Sequence, residues 1–144
     1  MDASTQPIDS TDLGALWAAL RSRPAIPFRA LGTSMRPFYP SGSLFLLEGY
    51  QSQPISLGDL VLLEINQEAV LHRVIEVHGQ PTSAITTKGD SRPYPEGPYP
   101  LSSIRALATH TIENTQFIPL SSGLETLKAS LIARMSYGVG VINR

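Results

Sequence analysis

Hydrophobic positions change their spacing once along this chain, from a helical repeat near the N-terminus to an alternating repeat further on. Leu13, Leu16, Trp17 and Leu20 follow the i, i+3, i+4, i+7 spacing of one helix face. Two arginines and then two prolines come directly after these positions, as is typical where a helix ends. We therefore predict a helix over residues 10–23.

Beyond this helix, short apolar runs are separated by clusters of glycine, proline, serine and asparagine. Runs with period two between such clusters are typical of strands joined by short connections. The predicted strands carry the segments FRAL, SLFLLE, DLVLLEI, AVLHRVIEV, SAITT and IRALATHTI. The pattern predicts a mainly β fold, a compact and mainly antiparallel β-domain over residues 27–120.

Two later segments depart from the alternation. Residues 88–103 are dense in proline and tyrosine and have no periodicity, so we predict a long loop, which in a small domain is often functional. Residues 122–137 return to a helical repeat and predict a closing helix that begins near Ser122. Its apolar face carries Leu124, Leu127, Leu131 and Met135. Packing of this face on the core is the simpler interpretation, and docking on a partner or a membrane surface is the alternative.

Length and composition narrow the class of protein. The 144 residues suit one domain, so we expect a flexible tail over residues 1–9 and a single domain over residues 10–144. The net charge of −1, without a basic stripe, argues against a nucleic-acid partner. There is no cysteine, which excludes disulfides, thiolate metal sites and a cysteine nucleophile. We expect no cofactor and no metal.

The ends of the chain bear on location. The N-terminal sequence is acidic and polar, unlike a signal peptide, and its longest apolar run falls far short of the ~20 residues that span a bilayer. The C-terminal apolar segment carries Glu125, Lys128 and Arg134, so it suits a membrane surface better than a span. We expect a soluble, cytoplasmic protein whose oligomeric state stays open.

One serine and one histidine stand out as candidates for chemistry. Ser34 lies on a proline- and glycine-shaped corner, where a hydroxyl can be exposed. A serine nucleophile needs a base within reach, and His72 lies in a strand between Val70 and Val74, so it is partly buried or lines a pocket wall. An imidazole with an ordinary pKa is mostly neutral at pH 7 and can accept a proton. The other two histidines are typical of surface positions.

A carboxylate that orients the imidazole would complete such a site. Asp90 follows Gly89 where a strand gives way to the proline-rich loop, and Glu96 lies six residues later in that loop. Taken singly, a turn serine, a structural strand histidine and a Gly-Asp turn are the more common interpretations of these residues.

Four short motifs in order resemble the successive conserved boxes of type I signal peptidases. They are GTSMRP at residues 32–37, LGDLVLL at 57–63, LHRVIEV at 71–77 and TTKGD at 86–90. The resemblance is to the branch of the endoplasmic reticulum and archaea, which uses histidine as base. The bacterial enzymes and the LexA-type self-cleaving repressors have lysine at that position. The similarity covers roughly half of the chain.

The resemblance implies a LexA/signal-peptidase-like β-domain and a serine endopeptidase that acts through an acyl-enzyme. Ser34 would be the nucleophile and His72 the general base. Asp90 would orient or electrostatically support His72. These three roles are carried over from the family's motifs, position by position.

The resemblance also implies how substrate is held. Met35 would lie beside the pocket for the residue that precedes the cut, and Gly32 and Thr33 would lie in the oxyanion region. Gly32 has no hydroxyl to offer the oxyanion, so backbone N–H groups would stabilise it. The substrate would be a leader or signal-type peptide, bound as an extended strand and cut after a small residue.

The chain departs from the family pattern in three places. Ser91 stands where an asparagine usually follows the aspartate, and Glu96 stands where further acids are expected, so Glu96 is a candidate second carboxylate. The family's membrane anchor ahead of the serine is also missing from this sequence.

Two alternative functions stay open, the first of which is motivated by these departures. The first is a binding module that keeps the peptidase scaffold without turnover. The second is a self-cleaving regulator of the LexA kind, which needs a DNA-binding domain upstream. Only about thirty residues precede Ser34, and they hold one helix rather than a helix-turn-helix unit.

Overall fold

The structure of the protein is a computed structural model that describes residues 6–120 and 124–132. Within these residues the chain forms nine strands, one 3-10 turn and two helices. In chain order they are β1 (Ile8–Asp9), α1 (Leu13–Ser22), β2 (Ile26–Arg29), β3 (Leu44–Gly49), β4 (Leu60–Ile65), β5 (Glu68–His78), β6 (Ala84–Lys88), β7 (Glu96–Pro100), the 3-10 turn (Leu101–Ser103), β8 (Ile104–Glu113), β9 (Gln116–Pro119) and α2 (124–132). The predicted fold class, mainly β with a helix near each end, is confirmed.

All of the strands belong to one sheet. Its order is β1-β2-β3-β8-β4-β5-β6-β7, and β9 pairs with β8 outside this path. Every pairing is antiparallel except the short parallel pair of β1 and β2. Register shifts interrupt the pairing of β8 with β3 and with β4, and the pairing of β6 with β5 and with β7. Such irregularities bend and twist a sheet, and this sheet is curled.

The centre of the sheet is covered on both faces. Leu60 and Leu62 of β4 belong to the larger core, which α1 completes with Leu16. Val61 and Leu63 point to the other face and belong to a second core. Side chains of a strand alternate between its two faces, so a strand buried on both faces is apolar throughout. This explains the uninterrupted apolar run of β4 in the sequence.

The N-terminal elements differ from their predicted bounds. Helix α1 begins at Leu13, because the Asp12 side chain accepts a hydrogen bond from the Ala15 backbone N–H at 3.1 Å and caps the helix. Ile8–Asp9 pair with β2 and are part of the sheet rather than of the tail predicted over residues 1–9. Residues 1–5 of that tail lie outside the described residues.

The segment 88–103, predicted to be a loop, contains strand β7. Pro98 and Pro100 lie in this strand, and proline lacks the N–H that a central strand needs. In the described part of the chain β7 pairs with β6 alone, so it lies at the edge of the sheet, where proline is tolerated. Because of these prolines, the sequence pattern did not predict this strand.

The closing helix is found, but its buried face is not the predicted one. Of the predicted range 122–137, the structure describes α2 over 124–132, so Ser122 and Met135 lie outside the described residues. The leucines expected in the core are between 45% and 58% exposed. They are Leu124, Leu127 and Leu131. Ala129 and Ile132 pack against Ile75 of β5 instead, so packing of the leucine face on the core is wrong for these residues.

Neither helix in the described ranges has the length and hydrophobicity to cross a lipid bilayer.

Candidate functional site

The Ser34 corner begins where β2 ends. Gly32 has a φ of +98°, which a residue with a side chain rarely adopts, and the chain then turns so that the Arg36 N–H donates to the Thr33 carbonyl at 3.2 Å. Ser91 forms two hydrogen bonds with this corner. Its backbone N–H donates to the Ser34 carbonyl at 2.8 Å, and its hydroxyl donates to the Thr33 carbonyl at 2.7 Å. The loop after β6 thereby fixes the position of Ser34.

His72 lies in β5 opposite Val61 of β4 and is only 4% exposed. Burial lowers the pKa of its imidazole to about 4, and the nearby charges of Arg92 and Lys88 act in the same direction. At neutral pH the side chain is therefore the uncharged imidazole. This is the form that can accept a proton.

Glycine at position 89 lets the serine corner approach the imidazole. A Cβ placed on Gly89 would lie 2.9 Å from His72 Nε2 and 2.9 Å from the Ser34 carbonyl oxygen. Both distances are too short for a side chain, so the corner and the imidazole flank a space that only glycine leaves open. Within residues 6–120 and 124–132, no hydrogen bond joins the Ser34 hydroxyl to His72.

The other imidazole nitrogen faces Glu96. His72 Nδ1 is buried and has no hydrogen-bond partner among the described residues, and the nearest carboxylate oxygen, Glu96 Oε1, lies 3.8 Å away. The Glu96 side chain is 39% exposed, so solvent screens its charge and it has room to move. Its other oxygen accepts a 3.4 Å hydrogen bond from the Tyr99 hydroxyl. A buried polar atom without a partner is uncommon, and here a carboxylate lies just beyond reach of it.

Asp90 is not beside His72, although the family motif implies that it supports the base. Its two carboxylate oxygens accept hydrogen bonds from Nε and Nη2 of Arg73, each at 2.8 Å. His72 and Arg73 are consecutive in β5, so their side chains point to opposite faces of the sheet. The structure therefore pairs Asp90 with Arg73 and leaves Glu96 as the carboxylate near the imidazole.

Arg73 also ties α2 to the sheet. Its Nη1 donates to Glu125 Oε2 at 2.6 Å and to the Gly58 carbonyl at 3.2 Å. Glu125 Oε1 accepts the Tyr39 hydroxyl at 2.5 Å and pairs with Lys128 at 3.4 Å. Sequence reasoning missed this network. A signal was present, since an arginine inside an apolar strand needs buried partners.

Ser34, His72 and Glu96 line one groove of about 740 Å³. The predicted substrate-pocket residues line it as well. They are Gly32, Thr33 and Met35. Apolar side chains of Phe28 and Leu71 form part of its walls. From Glu68 to His72, β5 pairs with β4 on one side, and its pairing with β6 begins only at Arg73, so one strand edge is open here among the described residues.

In the described ranges, no group of three or more histidine, aspartate or glutamate side chains is placed to bind a metal ion.

The two other histidines form hydrogen bonds with threonine hydroxyls. His78 pairs with Thr86 at 2.7 Å, and His110 pairs with Thr109 at 2.8 Å.

Comparison of this chain with protein-family models, with curated proteins and with solved structures gave no match. The resemblance to type I signal peptidases rests on the four sequence motifs, and the assignment to that family stays a prediction.

Proposed function

We propose that this protein is a serine endopeptidase that cuts a leader or signal-type peptide after a small residue. The Ser34 hydroxyl attacks the peptide carbonyl while His72 takes its proton, and the amine leaves with that proton to give an acyl-enzyme. Water, deprotonated by the same imidazole, then releases the acid and restores Ser34. The observation that carries this proposal is the orientation of His72, with Nε2 towards the serine corner and a partnerless Nδ1 towards Glu96.

Glu96 supports the base in this mechanism. When His72 accepts the serine proton it becomes a cation in a buried site, which is costly without an anion nearby. Movement of Glu96 by about 1 Å would bring its oxygen from 3.8 Å to hydrogen-bond distance of Nδ1. The exposed side chain has the freedom for this movement, and catalytic hydrogen bonds often tighten only when substrate binds.

Backbone N–H groups at the corner are suited to stabilise the oxyanion. Among the described residues, neither the Ser34 nor the Met35 N–H donates a hydrogen bond to the protein. Gly32 lacks a hydroxyl, and its own N–H is already bonded to Ser41 Oγ at 3.0 Å. We therefore assign the oxyanion donors to Ser34 and Met35, since preorganised donors at that position contribute most when they have no other partner.

The open edge of β5 supports binding of an extended peptide. Backbone groups from Glu68 to His72 can pair with an added strand, as in other cases of recognition by strand addition. Such a strand would run along the groove and end at Ser34. The Met35 side chain, 5% exposed, fills the wall beside the nucleophile and favours a small substrate residue there.

The proposal is tested by cleavage of extended peptides that carry small residues before the tested bond. Purified protein is expected to give two fragments, and Ser34→Ala is expected to lower the rate at least about a thousandfold. Ser22→Ala is the matched control, because Ser22 is exposed at the end of α1 and does not line the groove. Cleavage by Ser34→Ala at the wild-type rate would exclude the mechanism.

A second candidate function is a peptide-binding module without turnover. It is favoured by the missing hydrogen bond between Ser34 and His72 and by the 3.8 Å gap at Glu96. This function predicts that the same peptides bind to the groove with micromolar affinity while no product forms over days. Product formation that depends on Ser34 would exclude it.

A further inference from the structure

A second cavity adjoins the groove. It has a volume of about 410 Å³, and its lining includes Arg36, Lys88 and Arg92 together with Pro37 and Pro93. Arg92 also lines the groove, so the cavity and the groove are neighbours. We propose that this cavity is a specificity site that binds an acidic side chain of the substrate peptide, close to the bond that is cut. This inference rests on the proposed peptidase function.

The charges that line this cavity favour an anionic ligand. Asp90 lines the cavity, but both of its oxygens are bonded to Arg73. Among the described residues, none of the three cavity cations forms an ion pair with a carboxylate. The whole chain has a net charge of −1. The positive cavity is therefore a local feature and not a consequence of a basic protein.

Lys88 is a buried cation with weak hydrogen bonds. It is 1% exposed, and among the described residues its ammonium group donates to the carbonyls of Gly89 and Asp90 alone, at 3.4 and 3.5 Å. These distances are at the long end for a hydrogen bond. Burial of an ammonium group without an anion is strongly unfavourable. Lys128, the half-buried lysine of the Arg73 network, forms an ion pair with Glu125. Lys88 forms no such pair in the described ranges, and the carboxylate whose charge acts on it, Asp90, is already bonded to Arg73.

The exposed cations of this cavity are both arginines. Arg36 and Arg92 are exposed, so their guanidinium groups are accessible to a ligand, whereas Lys88 is buried. A guanidinium group binds a carboxylate through two parallel hydrogen bonds. Arg36 follows Ser34 by two residues, so a carboxylate held here belongs to a substrate residue near the cleaved bond. The ligand class is therefore an aspartate or glutamate side chain in an extended peptide.

The experiment is a positional scan with peptides that share one small-residue cleavage site. Aspartate is moved through the positions on both sides of that site, and each peptide is compared with its asparagine counterpart. Binding is measured on Ser34→Ala and cleavage on the wild type. At one or two adjacent positions, aspartate is expected to strengthen binding roughly tenfold, and less at high salt. The double variant Arg36→Gln, Arg92→Gln should lose this preference and still bind the asparagine peptide.

Arg21→Gln is the control for a simple loss of charge, because Arg21 lies in α1 away from both cavities. Equal binding of aspartate and asparagine peptides at every position would overturn the acidic-site proposal, even where cleavage proves the peptidase function. A preference for aspartate that survives the double variant would overturn it as well. So would binding of inorganic phosphate to the cavity without any preference for aspartate peptides over asparagine peptides. An arginine-dependent preference without cleavage would support the site and contradict the peptidase.

Discussion

At the scale of single residues, His72 and Arg73 are adjacent in the sequence motif, but the two-residue period of β5 places their side chains on opposite faces of the sheet. His72 faces the groove with Ser34 and Glu96. Arg73 faces the other side, where it holds Asp90 inside the protein. We therefore assign orientation of the base to Glu96 and a structural role to Asp90.

Glu96→Gln tests the first assignment. The amide cannot stabilise the imidazolium that forms when Ser34 attacks, so kcat should fall at least about tenfold. The free energy of unfolding should change little, because this side chain is 39% exposed. Peptide cleavage and urea denaturation measure the two effects on the same preparation.

Asp90→Asn is the matched change on the other face. It removes one of the two carboxylates that pair with the fully buried Arg73 guanidinium, while Glu125 remains. The unfolding free energy should therefore fall by about 3 kcal/mol, the lower end of the cost of breaking a buried ion pair. If Asp90→Asn kept the stability and lost kcat, while Glu96→Gln kept kcat, the two assignments would have to be exchanged.

These residues also show what the sequence could predict. Ser34 and His72 followed from residue type, position and motif order, and the groove contains both. The partner of Asp90 could not be predicted, because it depends on the pairing of Arg73 with Lys88 across β5 and β6. That register brings the end of β6 to the Arg73 face, and no local pattern encodes it.

At the scale of elements, α2 shows the limit of hydrophobic periodicity. The leucine repeat correctly predicts a helix, yet the described helix buries the face with Glu125, Ala129 and Ile132. Two contacts explain this choice. Glu125 binds Arg73, and its backbone lies so near Gly58 that a Cβ there would be 2.4 Å from the Glu125 carbonyl carbon. Both contacts join positions far apart in the chain, so the local pattern could not reveal them.

Replacement of Ile132 by alanine tests this orientation. Ile132 is 1% exposed, and its truncation should lower the unfolding free energy by about 2–5 kcal/mol. Leu131→Ala, at the adjacent and exposed position, should change it by less than about 0.5 kcal/mol. Urea denaturation of the two variants gives the comparison. An equal loss in both would contradict the described face of α2.

At the scale of the whole molecule, two groups of charged side chains differ in character. Arg73 and Lys128 are balanced by Asp90 and Glu125 and bind α2 to the sheet. The cavity cations beside Ser34 have no such balance in the described ranges. The first group stabilises the fold, and the second, with the neutral His72, shapes the electrostatic field in which substrate would bind.

The buried imidazole should also make the stability of the molecule depend on pH. The pKa of His72 is near 6.5 in the unfolded chain and about 4 in the folded protein. Between these values only the unfolded state holds the proton, so the unfolding free energy decreases as the pH falls from about 6.5 to 4. The loss at pH 4.5 should be about 2–3 kcal/mol.

Urea denaturation at pH 7 and at pH 4.5 measures this effect. His72→Gln removes the titrating group and should have a correspondingly smaller difference between the two pH values than the wild type. The same difference in both proteins would show that His72 titrates normally in the folded state and that its imidazole is hydrated.

The most direct test of the account is a search for the covalent intermediate on Ser34. On the proposed mechanism, a peptide ester that carries the N-terminal half of a cleaved peptide would acylate Ser34 faster than an amide does, and acid quenching would then preserve the adduct for mass spectrometry. A mass increase equal to that acyl group is expected, located on Ser34 by peptide mapping and absent from Ser34→Ala. Peptide cleavage at full rate with Ser34 unmodified would contradict it.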